Sequence, residues 1–294
     1  MANFRKAALF LRRSATDVTP MLEVIAVLER EGVSYLFEES TAQALGRGEG
    51  FKTERLGREC DVVIVVGGDG TTLGIARAML PWKLPMIAIN GGRLGFITAI
   101  AADEIEAKLP PILAGQYKAD RRAILMARLY RNRECVFEST AVNDAGVTHG
   151  SANALVEFAV SVDNHAMSRQ RADGVIVASA TGSTAYSMAC GGPIMHPKIQ
   201  GMTIVPIAPH SLTSRPIVVP KDSVVQIELI AAHEAQVFCD MQEFTPMRPG
   251  DTLCVSSVAN AFTLLEPSGH NHYEVLRRKF YWNSMPEDES RGKR

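Results

Sequence analysis

No two of the five cysteines (Cys60, Cys135, Cys190, Cys239 and Cys254) stand at C-x-x-C spacing. Neither a zinc ribbon nor a dithiol redox motif is readable, and free thiols in a reducing compartment are expected. Neither sign of charge dominates, since 31 Lys and Arg face 32 Asp and Glu. That balance leaves no basic footprint for nucleic acid and no polybasic tract for a membrane surface. No apolar run approaches the ~18 residues of a membrane span. The run behind Arg5-Lys6, from Ala7 to Leu11, is shorter than the ~7–15 residues of a signal peptide's apolar region, so a cytoplasmic protein is expected. Two phosphate-binding signatures are missing as well: the chain has no G-x-x-x-x-G-K-[ST] and no G-x-G-x-x-G. What it does have is length and apolar content. At 294 residues, 46% hydrophobic and 21% charged, it is too apolar for disorder. A chain of this size buries roughly 75% of the surface its unfolded form exposes, and length alone suggests two domains.

Texture divides the chain. Over residues 1–120, strand-like and helix-like segments alternate. Ala7–Leu11, Val33–Phe37, Val62–Val66 and Met86–Ile89 read as strands, and the unbroken apolar run at Val62–Val66 suits a parallel strand covered on both faces. Between them, Thr19-Pro20 predicts a helix start with Thr19 as cap, Gly32 closes that helix, and Ala101–Leu109 predicts another helix ending before Pro110-Pro111. Strand and helix in repetition predict an α/β domain: a doubly wound, Rossmann-like parallel sheet. From 121 to 267, alternation takes over at Leu155–Asp163 and Val224–Ile230, with short strands at Val237–Cys239, Thr252–Val255 and Phe262–Leu265 and a turn at Arg248–Asp251. This predicts a mainly antiparallel β-sandwich. Residues 268–283 read as a segment packing back on the first domain, with Arg277-Arg278-Lys279 on a solvated helix face anchored by Phe280 and Trp282. The polar tail 284–294 is expected to be disordered, Gly46–Gly57 to be a mobile loop, and His270 and His272 to lie on a solvated turn.

Chemistry concentrates in three places. Gly67-Gly68-Asp69-Gly70-Thr71-Thr72 follows the Val62–Val66 strand and precedes a helical pattern. A glycine turn there leaves N–H groups to face an anion at a helix N-terminus, which makes Gly67, Gly68, Gly70 and Thr71 candidate phosphate contacts. Asp69 is out of place in a purely phosphate-binding loop, because its charge repels phosphate. It makes sense as a base for a hydroxyl or as a ligand for a bridging divalent cation. The second place is Gln170–Gly174, followed by Thr181–Ser187. Arg171 and Asp173 could together grip an amide or a ribose diol, Thr181, Ser183 and Thr184 could cap a helix or meet a ligand, and Tyr186 offers a flat face with a polar tip. The third is Asn143-Asp144, a short polar pair ahead of Gly146.

Taken together, Gly67–Thr71, Asn90–Phe96, Asn143-Asp144, Gln170–Gly174, Thr181–Ser187, Gly191–Ile194, Pro209–Leu212, Ser214–Pro216, Asp240–Gln242 and Leu276–Trp282 resemble the NAD kinases in order and spacing, over about residues 5 to 283. The resemblance implies transfer of the terminal phosphate of ATP to the 2′-hydroxyl of NAD's adenosine ribose, giving NADP, with Mg²⁺ or another divalent cation and as a homodimer or homotetramer. It makes Asp69 the catalytic aspartate, Gly70 a backbone contact and Phe96 the aromatic packed on adenine. It makes Asn143 and Asp144 the pair holding the adenosine end. Ala154, Arg171, Asp173, Thr181, Thr184, Ala185, Tyr186, Ser187, Met188, Ala189 and Gln242 are further dinucleotide contacts. The chain departs from the family pattern at Gly91, where Arg or Thr is usual and Arg93 follows two places later as the candidate phosphate contact. Asp144 replaces the more frequent Glu, Ala180 a proline, and Met241 the glycine of an Asp-Gly-Gln triplet. Two other readings stand beside this one: a silent NAD(H)-binding sensor, and a lipid or sugar kinase sharing only the Gly-Gly-Asp-Gly turn.

Overall fold

The computed structural model describes residues 3–92, 95–150 and 155–282. Arg93, Ala154 and the tail 284–294 lie outside the described residues. In chain order the first elements are β1 (Lys6–Leu11), α1 (Thr19–Arg30), β2 (Ser34–Phe37), α2 (Glu39–Ala44), α3 (Thr53–Glu59), β3 (Val62–Val66), α4 (Asp69–Met79), β4 (Met86–Asn90), β5 (Ile100–Ala101) and α5 (Ile105–Leu113). Then come β6 (Tyr117–Arg131), β7 (Glu134–Ala141), β8 (Asp144–His149), β9 (Val156–Val162), β10 (His165–Ala172), β11 (Gly174–Ser179), α6 (Tyr186–Ala189), β12 (Gly201–Ile207), β13 (Ile217–Pro220), β14 (Val224–Ala231), β15 (Ala235–Cys239), β16 (Glu243–Met247), β17 (Thr252–Pro267) and α7 (His272–Phe280). The chain forms two compact units, one of residues 1–72, 85–120 and the chain from Leu264 on, the other of 73–84 and 121–263.

In the first unit β2, β1, β3 and β4 lie side by side, all parallel, and Leu264 of β17 pairs in parallel with Met86 of β4. Alternate residues of the strands, among them Leu9, Ile64 and Ile87, form one core with Met21, Val24 and Leu28 of α1 and Ile105, Leu109 and Ile112 of α5. Their neighbours on the other face, Ala8, Val63, Val65 and Ala88, are buried too, which is why these strands read as continuous apolar runs. Pro20 sits in the first turn of α1, as the sequence predicts. Thr19 is not the cap: it lies inside the helix, and its N–H donates to Asp17 Oδ1 at 2.9 Å. Gly32 closes the helix at φ +71°, with the Val33 N–H donating to Leu28 O at 2.9 Å. The α5 helix runs through Pro110 and Pro111 to Leu113 and does not stop before them. Burial of Leu109, Ile112 and Leu113 holds the last turn, and the Ala114 and Gln116 N–H groups reach the two proline carbonyls at 2.9 and 2.8 Å. The glycine-rich 46–57 segment is likewise not one loop, because α3 takes up its second half and buries Gly57.

The second unit is a sandwich of antiparallel strands. One sheet runs β10-β9-β14-β17, with the hairpin β6-β7 added to β17; the other runs β13-β12-β11-β8-β15-β16. Phe158 and Val160, Ile227 and Leu229, Leu253 and Val255 of the first sheet share a core with Val147, Val175, Val177, Ile204 and Val237 of the second. Three features differ from the sequence reading. The two short strands expected at 252–255 and 262–265 are one 16-residue strand, β17. A long hairpin, β6-β7, turns at Asn132 and Arg133 with φ of +51° and +70°, the geometry of a type I′ turn carrying an unusual Asn-Arg pair. In α7 the anchors are the buried Val275 and Leu276, whereas Trp282 is 52% exposed.

Candidate active site

In the first unit β3 ends at Val66 and α4 begins at Asp69, so Gly67-Gly68 makes the whole turn. A Cβ on Gly67 would lie 2.8 Å from Thr71 Cβ, a distance that side chains do not tolerate. The Gly67 N–H donates to Ile89 O at 2.9 Å, so it belongs to the sheet and is not a phosphate donor. A helix's first N–H groups have no intrahelical acceptor and carry positive potential, which leaves the expectation on Gly68, Gly70 and Thr71. The Thr72 hydroxyl and N–H both return to Gly68 O at 3.1 Å and fix the turn.

Asp69 does not cap its own helix. Its Oδ2 accepts the Phe96 N–H at 2.7 Å, while Oδ1 accepts the Ile97 and Thr98 N–H groups at 3.1 and 3.3 Å and the Thr98 hydroxyl at 3.4 Å. Asn90, buried at the end of β4, braces the same loop: its Nδ2 donates to Thr98 Oγ1 at 2.9 Å and its Oδ1 accepts the Gly92 N–H at 2.7 Å. A Cβ on Gly95 would fall 1.9 Å from Asp69 Oδ1, so only glycine lets the loop close over the carboxylate. Phe96 is half-buried, 5.7 Å from the Phe280 ring with Lys279 Nζ 5.4 Å from its centroid, and Phe280 stacks on Trp282 at 5.2 Å.

In the second unit Asp144 opens β8 and Asn143 precedes it. Both are pinned through their main chain: Asp240 Oδ1 accepts the Asn143 and Asp144 N–H groups at 2.7 and 3.2 Å, and Oδ2 accepts that of Val142 at 2.9 Å. The side-chain Oδ1 atoms of Asn143 and Asp144 are buried without a hydrogen-bond partner, a cost that a ligand would relieve. Burial and then the neighbouring Asp240 charge push the Asp144 carboxyl up to about 7. The 181–189 segment lies against this pair, since a Cβ on Gly182 would be 2.0 Å from Asn143 O, and the Ser179 N–H donates to that oxygen at 2.8 Å. Ser183 is no helix cap. Its buried hydroxyl donates to Ala180 O at 2.8 Å and accepts the Met195 N–H at 2.9 Å. Thr181 Oγ1 accepts from the buried Arg122 guanidinium at 3.1 Å. The Tyr186 hydroxyl is raised by burial and by Cys190, Asp173 and Asp144 around it, and its ring meets Phe238 edge-on at 6.1 Å. Gln242 places Oε1 3.3 Å from where a Cβ on Gly74 would sit. Arg171 is turned elsewhere: its Nε pairs with Glu157 at 2.9 Å beside Arg169, with the side chain 68% exposed. The Asp173 main chain bridges two neighbouring strands, its N–H donating to Ile207 O at 2.9 Å and its carbonyl accepting the His149 N–H at 3.1 Å.

The profile of the ATP-NAD kinase N-terminal domain matches residues 12–117 and that of the C-terminal domain residues 142–266. The chain belongs to the ATP-NAD kinase family. An NAD kinase of Cupriavidus pinatubonensis is 42% identical over 291 residues, spanning 98% of this chain and 95% of that protein. One of Ralstonia nicotianae is 41% identical over 98% and 96%. Among solved structures, yeast NADH kinase complexed with NADH superposes with a TM-score of 0.83 at 20% identity, over 96% of this chain and 88% of that one. An NAD kinase from Archaeoglobus fulgidus in complex with ATP gives 0.73 at 23%, over 94% and 98%. At these identities the two structures speak for the fold.

As a member of the ATP-NAD kinase family the chain raises the question of a divalent cation. No group of three or more His, Cys, Asp and Glu side chains gathers among the described residues, and Asp69 already accepts from four donors. This donor set does not build a resident Mg²⁺ cage; it suits an ion held mainly by substrate phosphates. His270, expected on a solvated turn, is largely covered, with Nε2 3.6 Å from Glu266 Oε1. Sequence reading missed Arg77 and Glu243, which flank Asp240. Nothing in their spacing marks them, because they meet through folding of α4, β7 and the β15-β16 turn.

Proposed function

We propose that this chain transfers the terminal phosphate of ATP to the 2′-hydroxyl of the adenosine ribose of NAD, yielding NADP and ADP. The observation that carries the reading is Asp69. Its Oδ2 accepts a single N–H and keeps a lone pair, on a carboxylate held fixed at the first turn of α4. In the proposed step the 2′-oxygen attacks the terminal phosphorus, the bond to the leaving ADP oxygen breaks, and the hydroxyl proton passes to Asp69 Oδ2. Such a base contributes roughly 10²–10⁴-fold, with positioning supplying most of the rest. When bound, Mg²⁺ would be held mainly by the phosphates of ATP and would offset their charge.

In this reading Gly68, Gly70 and Thr71 face phosphate and Phe96 packs on adenine. Asn143 and Asp144 hold the adenosine end through their unpartnered oxygens. Asp173, Thr181, Thr184 to Ala189 and Gln242 meet the remainder of the dinucleotide, and Arg171 serves a neighbouring subunit's site. The family resemblance implies a homodimer or homotetramer, checked by light scattering, and the short apolar run at Ala7–Leu11 points to the cytoplasm, checked by cell fractionation. The deciding experiment is NADP formation from NAD, ATP and Mg²⁺ by the purified protein, read with an NADP-specific dehydrogenase. A signal that vanishes without ATP supports the reading; NAD binding by calorimetry without turnover overturns it.

A further inference from the structure

Of the buried carboxylates to which this reading gives no substrate group, one stands directly behind the Asn143-Asp144 pair. Asp240 is 8% exposed at the β15-β16 turn. It accepts three consecutive main-chain N–H groups, those of Val142, Asn143 and Asp144, and its own N–H donates to Asp144 O at 2.8 Å. A turn needs far less. An ordinary two-residue hairpin closes on its own ladder, and here the Gln242 N–H already donates to Cys239 O at 3.0 Å. The three extra bonds fix the main chain of the pair whose side-chain oxygens are buried and unpartnered. Charge is balanced from behind. Arg77 Nε lies 3.9 Å from Asp240 Oδ2, and the Arg77 Nη2 donates to Glu243 Oε2, which the Ser139 hydroxyl also reaches.

We infer that Asp240, backed by Arg77, is a positioning residue for the dinucleotide: it fixes where the Asn143 and Asp144 oxygens stand and so sets NAD affinity, not the chemical step. The inference rests on the kinase reading above. Three short, charge-assisted bonds from one acceptor hold a strand start more rigidly than ladder bonds do, and a ligand grip of 2.7–3.2 Å bonds tolerates little play. Asp240 also acts through space. The groups facing Asp144 are Asp240 from the β15-β16 turn, Tyr186 from α6 and Cys190 just after it; Arg77 from α4 and Glu243 from β16 stand behind Asp240. Burial raises both carboxyls, but Asp240 has three N–H donors and a cation to keep it ionised, so the proton goes to Asp144. Ionised Asp144 is the better acceptor for a ribose diol, so NAD binding should tighten as pH rises through about 7.

The test is steady-state kinetics of the full chain between about pH 5.5 and 9, for the wild type, Asp240→Asn and Arg77→Met. Asp240→Asn keeps the shape but turns an amide NH₂ on backbone N–H groups. It should raise KM for NAD about tenfold, leave kcat within about threefold and KM for ATP unchanged, and move the limb in KM for NAD to lower pH, because a like charge is gone. Arg77→Met removes the cation and should move the same limb to higher pH. Opposite displacements are what a merely structural brace would not produce. A KM for NAD within twofold of wild type in Asp240→Asn, or limbs that stay put or move together, overturns the inference. If Asp240→Asn does not fold by thermal melting, the direction of the Arg77→Met limb decides. If the wild type makes no NADP, the kinase reading fails by itself, and calorimetric NAD affinity of the same three proteins across pH still decides the role of Asp240.

Discussion

At Asp69 a single carboxylate joins the phosphate turn to the 96–98 loop, and its two oxygens are not equivalent. Oδ1 is crowded by three donors and Oδ2 by one, so Oδ2 is the oxygen proposed to accept the proton. Asp69→Asn should lower kcat by roughly 10²–10⁴-fold and leave NAD affinity within about tenfold, measured by turnover and calorimetry on one preparation. Wild-type turnover in that variant would rule out the base. Asp144 makes a prediction about stability. Its folded pKa lies near 7, above the unfolded value of about 3.9. Between these values the unfolded chain releases the proton and the folded chain keeps it, so stability contributed by this group falls as pH rises from about 4 to 7 and stays level above. Asp144→Asn should therefore gain in Tm relative to wild type at pH 8 more than at pH 5, while binding NAD more weakly. A Tm difference that does not change with pH would contradict the assigned titration.

Elements carry a second layer. The β15-β16 turn places Asp240 and Met241 at φ of +52° and +51°, where an L side chain costs about 1 kcal/mol or more. Met241 is 48% exposed, so its side chain offers little packing in return. Met241→Gly should stabilise the protein by about 0.5–1 kcal/mol in urea unfolding; a loss would mean that the Met241 side chain contributes more than the strain. The parallel strands and the Gly67-Gly68 turn were legible because runs such as Val62–Val66 admit few environments, and two glycines before an aspartate admit few turns. The joining of 252–255 with 262–265 was not, because Ser256 to Ala261 lack an apolar alternation and carry a turn former, Asn260, which takes φ +52° inside the strand. Candidate site residues follow the same division. Asn143, Asp144 and Asp69 could be proposed from motif, whereas Arg77 and the outward commitment of Arg171 to Glu157 depend on which strands meet. Pro110 and Pro111 misled for a physical reason: a helix stop signal is local, and burial of Leu109, Ile112 and Leu113 outweighed it.

The whole molecule divides its labour between two cores that the chain enters more than once. The first unit takes residues from three separate stretches, and Leu264 and Leu265 of β17 belong to its sheet and core. A fragment of residues 1–120 should therefore fail to fold, giving weak helical circular dichroism and no cooperative melt; a sharp melt would show that β4 does not need its parallel neighbour. In the second unit Phe158 is fully buried between the sheets, and Phe158→Ala should cost about 3–5 kcal/mol in chemical unfolding.

The late return of β17 bears on how the protein is made. Residues 121–263 supply all of the second unit except 73–84, so that core draws on one nearly continuous stretch. The parallel sheet does not. Its strands β1 to β4 emerge first and then wait for Leu264, a gap that takes roughly 10–30 s at ordinary elongation speeds of ~5–20 residues per second. During that interval the Met86 end of the β4 edge stands open, while β5 pairs its Ile89–Asn90 end. The N-terminal half is thus the part of the nascent chain with the greatest need of a chaperone.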